Sequence, residues 1–230
     1  MGISQMLMKL AEGMATSCWI FGITLLFSLP LGMVIAFGRM SKKRIVQGIT
    51  KIYISIMRGT PLMLQLMVVY FGPYYLFGIK ISPFYRNIAV VIGFVLNYAA
   101  YFAEIYRSGI ESMPVGQYEA AEILGYSKSQ TFLHIILPQV IKRILPSVTN
   151  EVITLVKDTS LAFVIAVSEM FTIAKALASS QTSMVPYVAA GIFYYVFNFE
   201  ANNDIINELN RKARINENII RHLIIKLDEE

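Results

Sequence analysis

The polar residues best placed for chemistry sit where polar residues are expensive. After Pro146 runs an apolar stretch, SVTNEVITLVKDTSLAFVIAVSEM, and it holds Asn150, Glu151, Thr154, Lys157 and Asp158. A charge inside a membrane segment is costly, and by default it faces a cavity or a partner. Glu151, Thr154 and Asp158 follow the spacing i, i+3, i+7, so on a helix they share one face. That face is polar and acidic, while the others are apolar. With Asn150 beside it, it is suited to line a polar path and to attract an ammonium group or a cationic side chain. Two plainer roles fit the same residues. Glu151 could pair with a base on a neighbouring helix, and Lys157-Asp158 could simply mark a helix end.

Other chemistries lack their residues. His134 and His222 are far apart and lack metal-ligand spacing, so neither a metal nor another cofactor is expected. The single cysteine, Cys18, excludes an internal disulfide. There is no Gly-rich phosphate loop of the Walker type, so the chain does not bind ATP in that manner. No Ser/His/Asp or Cys/His arrangement carries a local catalytic signature. The 12 methionines are spread through apolar runs, as core packing requires. Basic residues flank those runs without building an aromatic-interleaved basic surface, so nucleic acid is not an expected partner.

The elements that must hold the acidic face are membrane helices. Of 230 residues, 56% are hydrophobic and only 15% charged, with a mean hydropathy of +0.56. A soluble domain is about 45–50% apolar even with Gly counted. The expected fold is all-α and integral to the membrane, with about five transmembrane helices. Residues 1–17 are mildly amphipathic and are expected to lie in the interface. The run from Cys18 to Gly38 is long enough to span, with Gly22, Gly32 and Gly38 allowing close packing. Residues 39–58 carry Arg39, Lys42, Lys43, Arg44, Lys51 and Arg58 and no acid, which marks a cytoplasmic loop and an outside N-terminus. Spans follow at Leu62 to Phe77 and at about Asn87 to Phe102, separated by a turn-rich loop over 72–87. After the fourth apolar segment, 168–182 reads as a short outer helix or loop, and Met184 to Phe199 returns the chain to the cytoplasm.

Between the third and fourth spans lies the longest polar interruption, residues 119–138, within a loop over 114–138. Pro114 suits a helix start, and Gly125 suits a left-handed helix end. Ser127-x-x-Gln130 reads as a capping box opening a second helix, which Pro138 should end or kink. The product is two short helices meeting at a sharp turn. Ala120 and Ala121 keep one face small, and Glu119 sets a charge at its rim. Within it Glu119-Ala120-Ala121, three residues, Gly125, nine residues, Ile135, one residue and Leu137-Pro138 form a fixed pattern.

That pattern resembles the coupling loop of ABC-importer permeases. Arg58-Gly59-Thr60-Pro61, the phrase from Ala99 to Arg107, and Lys157-Asp158-Thr159-Ser160-Leu161 resemble the amino-acid branch of the same family. The likeness covers about residues 18–199. It implies a type I permease fold (the transmembrane domain, 18–199) that moves polar or basic L-amino acids into the cell by ATP-driven alternating access. It also implies two separate ATPase subunits, a second permease subunit, identical or homologous, an external solute-binding protein and a place in the bacterial inner membrane. The chain itself would be a transport subunit, not an enzyme. Glu119, Ala120, Ala121 and Gly125 would meet the ATPase. The alternative readings are a non-ABC channel or assembly protein, or a permease fusion without function.

The last stretch breaks the pattern. From Glu200 the composition turns polar, EANNDIINELNRKARINENIIRHLIIKLDEE, giving an anomalous cytoplasmic tail over 200–230. The NFEA, RINE and RHL phrases resemble the C-terminal part of bacterial small-subunit ribosomal protein S-six. That likeness implies a helix near Asn203 to Ala213 and a strand near Ile219 to Leu227. A lone helix and strand bury too little to fold independently, so an α/β fragment or disorder is expected.

Overall fold

The structure is a computed structural model, and it describes residues 2–198. The expected tail helix and strand lie outside that range. Every described element is helical. The first, α1, is a single helix over Ile3–Arg39 and passes through the 17/18 boundary and Pro30 without a break. The basic stretch after it is a helix, α2 (Arg44–Gly59), rather than a loop. The third, α3 (Leu62–Phe77), stops at Gly78, whose φ of +67° closes the last turn against the Tyr74 carbonyl. The longest internal helix is α4 (Pro83–Glu111), opened by Pro83 in its first turn and by Ser82, whose hydroxyl accepts from the Tyr85 N–H.

Next come α5 (Val115–Ile123) and α6 (Lys128–Gln130), a π-helical turn over Thr131–Ile136, and α7 (Leu137–Asp158). A 3-10 turn (Thr159–Ile165) leads to α8 (Met170–Gln181), and α9 covers Val185–Asn198.

By length and composition α1 and α4 each suffice to cross a membrane. Two bent pairs pass the same test together: α2 with α3 at 110°, and the run Lys128–Ile165 with α8 at 59°. With the shorter α9 these make five apolar units, in keeping with about five spans.

In lipid the helices gain little from the hydrophobic effect, so close backbone approach holds them together. The α1–α4 contact is the largest in the fold. It runs along buried Ile20, Thr24, Ser28, Gly32 and Ala36 of α1. A Cβ on Gly32 would lie 2.9 Å from the Phe102 Cβ and 3.1 Å from the Ala99 carbonyl oxygen. Gly38 is equally tight, against Thr50 of α2 at 2.8 Å. Gly22 meets nothing within 4 Å, contrary to expectation, because its side of α1 faces outward. Phe94, Tyr98 and Phe102 make α4 the centre of the larger core, with Leu66, Ile136, Leu155 and Ile165 around them. A second core joins Met6 and Leu10 of α1 to Met170, Ala174 and Leu177 of α8 and Ala190 of α9.

Candidate functional site

The elbow is built by local chemistry. Pro114 stands one residue before α5 as its N-cap, and Ala121 is its buried residue. Gly125 has φ +80°, the left-handed conformation that only Gly adopts without cost. The turn is closed by the Gly125 and Tyr126 N–H groups, which donate to the carbonyls of Glu122 and Ala121 at 3.0 Å each. The capping box is complete: the Gln130 N–H donates to Ser127 Oγ at 3.3 Å, and the Ser127 N–H donates to Gln130 Oε1 at 2.9 Å. The side-chain amides of Gln117 and Gln139 bridge reciprocally at 2.9 Å, and Arg143 donates to the Ser112 carbonyl at 2.8 Å. These bonds tie the elbow to the foot of α7.

Glu119, Ala120 and Gly125 are exposed, whereas Ala121 packs inward. The elbow also presents large apolar side chains: Val115 is 68% exposed, Ile123 86% and Leu124 74%.

Pro138 does not end the second helix. It falls in the first turn of α7, directly after the π-helical turn Thr131–Ile136. A wide turn relieves the clash between a proline ring and the preceding helical carbonyl, so the chain continues as a helix. The second arm of the elbow is thereby the base of the span that carries Glu151, and Lys128–Ile165 runs on as one helical unit.

The acidic face is divided by its contacts. Asp158 accepts a hydrogen bond from the Tyr98 hydroxyl at 2.7 Å. Thr154 spends its hydroxyl on the Asn150 carbonyl at 2.9 Å, and both residues are exposed. Glu151 is half-buried, and among the described residues it has neither a hydrogen bond nor an ion pair. Among the described residues the ion pairs are those of Arg107 with Glu104 and Glu111, one turn to either side of it at the end of α4.

Several polar residues beside this face carry no signal of their own in the sequence. Asn97, buried in α4, donates to the Met57 carbonyl at 3.1 Å and to Gln65 Oε1 at 2.9 Å. Gln65 Nε2 donates back into the same break, to the Met57 carbonyl at 3.0 Å and to Thr60 Oγ1 at 2.7 Å. The two amides thus satisfy carbonyls that the α2–α3 bend leaves open. Farther along, Arg86 of α4 donates to the Ala166 carbonyl at 3.0 Å, where φ is +56° in a residue other than Gly. Glu169, fully buried, caps α8 by accepting from the Phe171 and Thr172 N–H groups at 2.7 and 2.6 Å. The phrases around Arg58 and Tyr101 could have pointed to this region, because each sets polar residues beside an apolar run.

A multi-pass helical bundle with two bent spans and an exposed apolar elbow at the foot of one of them belongs among membrane transport proteins. The family described as binding-protein-dependent transport system inner membrane component matches residues 28–202. The chain belongs to this family.

It is similar to the L-cystine transport system permease protein TcyL of Bacillus subtilis, at 40% identity over 84% of this chain and 82% of that protein. It is also similar to the arginine transport system permease protein ArtQ of the same organism, at 39% identity over 80% of this chain and 84% of that protein. Among solved structures, an amino acid ABC transporter matches with a TM-score of 0.80 and 29% identity, over 88% of this chain and 94% of that one. An inward-facing form of the MetNI methionine ABC transporter shares the fold, with a TM-score of 0.64 at 16% identity. The chain is therefore an ABC-importer permease subunit, which works with separate ATPase subunits and a partner permease and hydrolyses no ATP itself. A channel or assembly protein outside this class is excluded by that membership. A second family, described as Ribosomal protein S6, matches residues 190–226, in keeping with the tail phrases.

Proposed function

We propose that this chain carries polar or basic L-amino acids into the cell, with the α7 face of Asn150, Glu151, Thr154 and Asp158 lining the path and the elbow receiving the stroke of the ATPase. The observation that carries this reading is the continuity of the elbow's second arm with the span that holds Glu151. A push on α5 is passed through Gln117–Gln139 to the base of α7, without a flexible joint between motor and path. ATP binding closes two ATPase subunits, the paired elbows move, and the two permease subunits open outward. Hydrolysis resets them inward.

The relatives support the substrate class, being named for cystine, arginine, glutamine and octopine. An external solute-binding protein delivers the amino acid. The N-terminus lies outside, the elbow at 114–138 and the tail at 200–230 lie in the cytoplasm, and the transmembrane domain is 18–199. The basic run 39–58 supports that orientation.

Exposed apolar side chains beside Gly125 require a partner surface. Co-purification with candidate ATPases tests this directly. Glu119→Arg and Gly125→Asp are expected to abolish ATPase capture while leaving the permease in the membrane fraction. Undiminished capture by both variants contradicts the proposed contact.

A further inference from the structure

The joint between α7 and α8 has three features that a plain turn between helices does not need. The α7 unit ends in seven residues of 3-10 helix, Thr159–Ile165. Runs of that form past about four residues are uncommon, and inside a helical unit they often mark a hinge. Ala166 follows at φ +56° and ψ +39°, a left-handed conformation that is costly for a residue with a Cβ. Its carbonyl accepts from Nη1 of Arg86, 80 residues away in the first turn of α4, at 3.0 Å.

Arg86 is a costly way to fix a carbonyl. Its guanidinium is half-buried, and Nε is buried without a partner among the described residues. An unpaired buried N–H destabilises the fold, so packing alone favours an apolar side chain here. What the arginine adds is a positive fork at the carboxyl end of a helix, where the backbone dipole is negative. The two sides of the joint answer to different partners. The α7 unit runs from Lys128 to Ile165 and is tied to α4 by the Tyr98–Asp158 bond. On the other side, the Met170 N–H donates to Ser17 Oγ of α1 at 3.5 Å, and the Tyr194 hydroxyl of α9 donates to Glu169 Oε2 at 3.3 Å. A turn of α7 against α8 is therefore taken up between Thr159 and Glu169, where Arg86 has its grip.

We propose that Arg86 is a positioning residue for transport: a latch from α4 on the Ala166 carbonyl that holds the α7–α8 joint in one setting and releases it when α7 turns. This rests on the stroke that the elbow is proposed to pass to α7. Val167, the next residue, reports on the joint. It is 4% exposed and lines a groove of about 380 Å³ with Ala15, Thr16, Trp19 and Asn87, through which a reagent can approach.

The test uses the full complex with its ATPase and external binding protein in lipid nanodiscs. Cys18→Ser with Val167→Cys leaves one thiol in the permease, to be labelled with a polar maleimide. Labelling is expected to be about tenfold faster with ATP and vanadate than without nucleotide, the population shift that one hydrogen bond to a charged group is worth. Arg86→Met, which keeps the stem and removes the donors, is expected to raise the nucleotide-free rate to the nucleotide-bound one. Arg86→Lys, which can still reach one carbonyl, is expected to restore part of the difference. A control thiol, Ser28→Cys in the buried α1–α4 contact, is expected to stay unlabelled throughout. If Arg86→Met exposes that thiol as well, Arg86 braces the whole bundle and is not a latch. If Arg86→Met still labels Val167→Cys slowly without nucleotide, or if the parent rate ignores nucleotide while ATP is hydrolysed, the latch is wrong. Gly125→Asp is expected to leave Val167→Cys at the slow rate with or without nucleotide. A nucleotide response that survives Gly125→Asp and is lost in Arg86→Met would overturn the elbow's role and keep the latch.

Discussion

Gly125 and Glu151 are the residues on which the two halves of the proposed function rest, and each answers to a different physical demand. Gly125 has open space around it, so within this chain only its φ of +80° constrains the residue type, and a charge placed there, as in Gly125→Asp, acts on the proposed ATPase contact instead. Asn tolerates that conformation, whereas a β-branched side chain is strained there by about 1–2 kcal/mol. Gly125→Asn is thus expected to retain ATPase capture and Gly125→Val to lose most of it, as read by co-purification. Glu151 is limited by charge. Glu151→Gln is expected to slow uptake of cationic amino acids about tenfold, the effect of losing about 1.4 kcal/mol, and to slow neutral ones less. Equal loss for both would mark Glu151 as structural. The left-handed turn at Gly125 was legible from local turn chemistry, and the place of Glu151 in a helix from the apolar run around it. The Tyr98–Asp158 bond was not, because its partners are 60 residues apart and no periodicity links them.

At the scale of elements, the helices are joined by backbone contact where small residues allow it. A Cβ on Gly13 would lie 2.7 Å from the Met170 Cα, a backbone atom that cannot turn aside. Gly13→Ala is expected to part α1 from α8 and destabilise the permease by about 1–3 kcal/mol, the usual cost of overpacking. Gly22→Ala, facing open space, is expected to change nothing. Thermal unfolding of the two variants in detergent separates these outcomes. The sequence marked Gly22 as a packing residue and not Gly13, because composition shows where close packing is possible but not which side of a helix receives a neighbour. It likewise left an end or a kink open at Pro138, and the end does not occur because a preceding π turn lets the helix continue. The capping box at Ser127 and Gln130 was read correctly, since both partners lie within four residues.

At the scale of the whole molecule, α4 is the post on which both bent spans are hung. Asn97 holds the bend between α2 and α3, Arg86 holds the carbonyl ahead of α8, and Tyr98 holds the last turn of α7. The bundle that the proposed stroke of the elbow would reach thus has its joints braced by one helix. The family match ends at residue 202, beyond the last described helix. A chain cut after Asn202 is accordingly expected to take up substrate at the rate of the full chain in membrane vesicles, whereas a large loss would give the tail a part in transport.

The most direct test joins motor to path in one vessel. Reconstituted in liposomes with its ATPase and external binding protein, the permease should show amino-acid-stimulated ATP hydrolysis together with uptake. Gly125→Asp should lose both. Uptake that persists in that variant, or that proceeds without nucleotide, would contradict the coupling of the elbow to the Glu151 span.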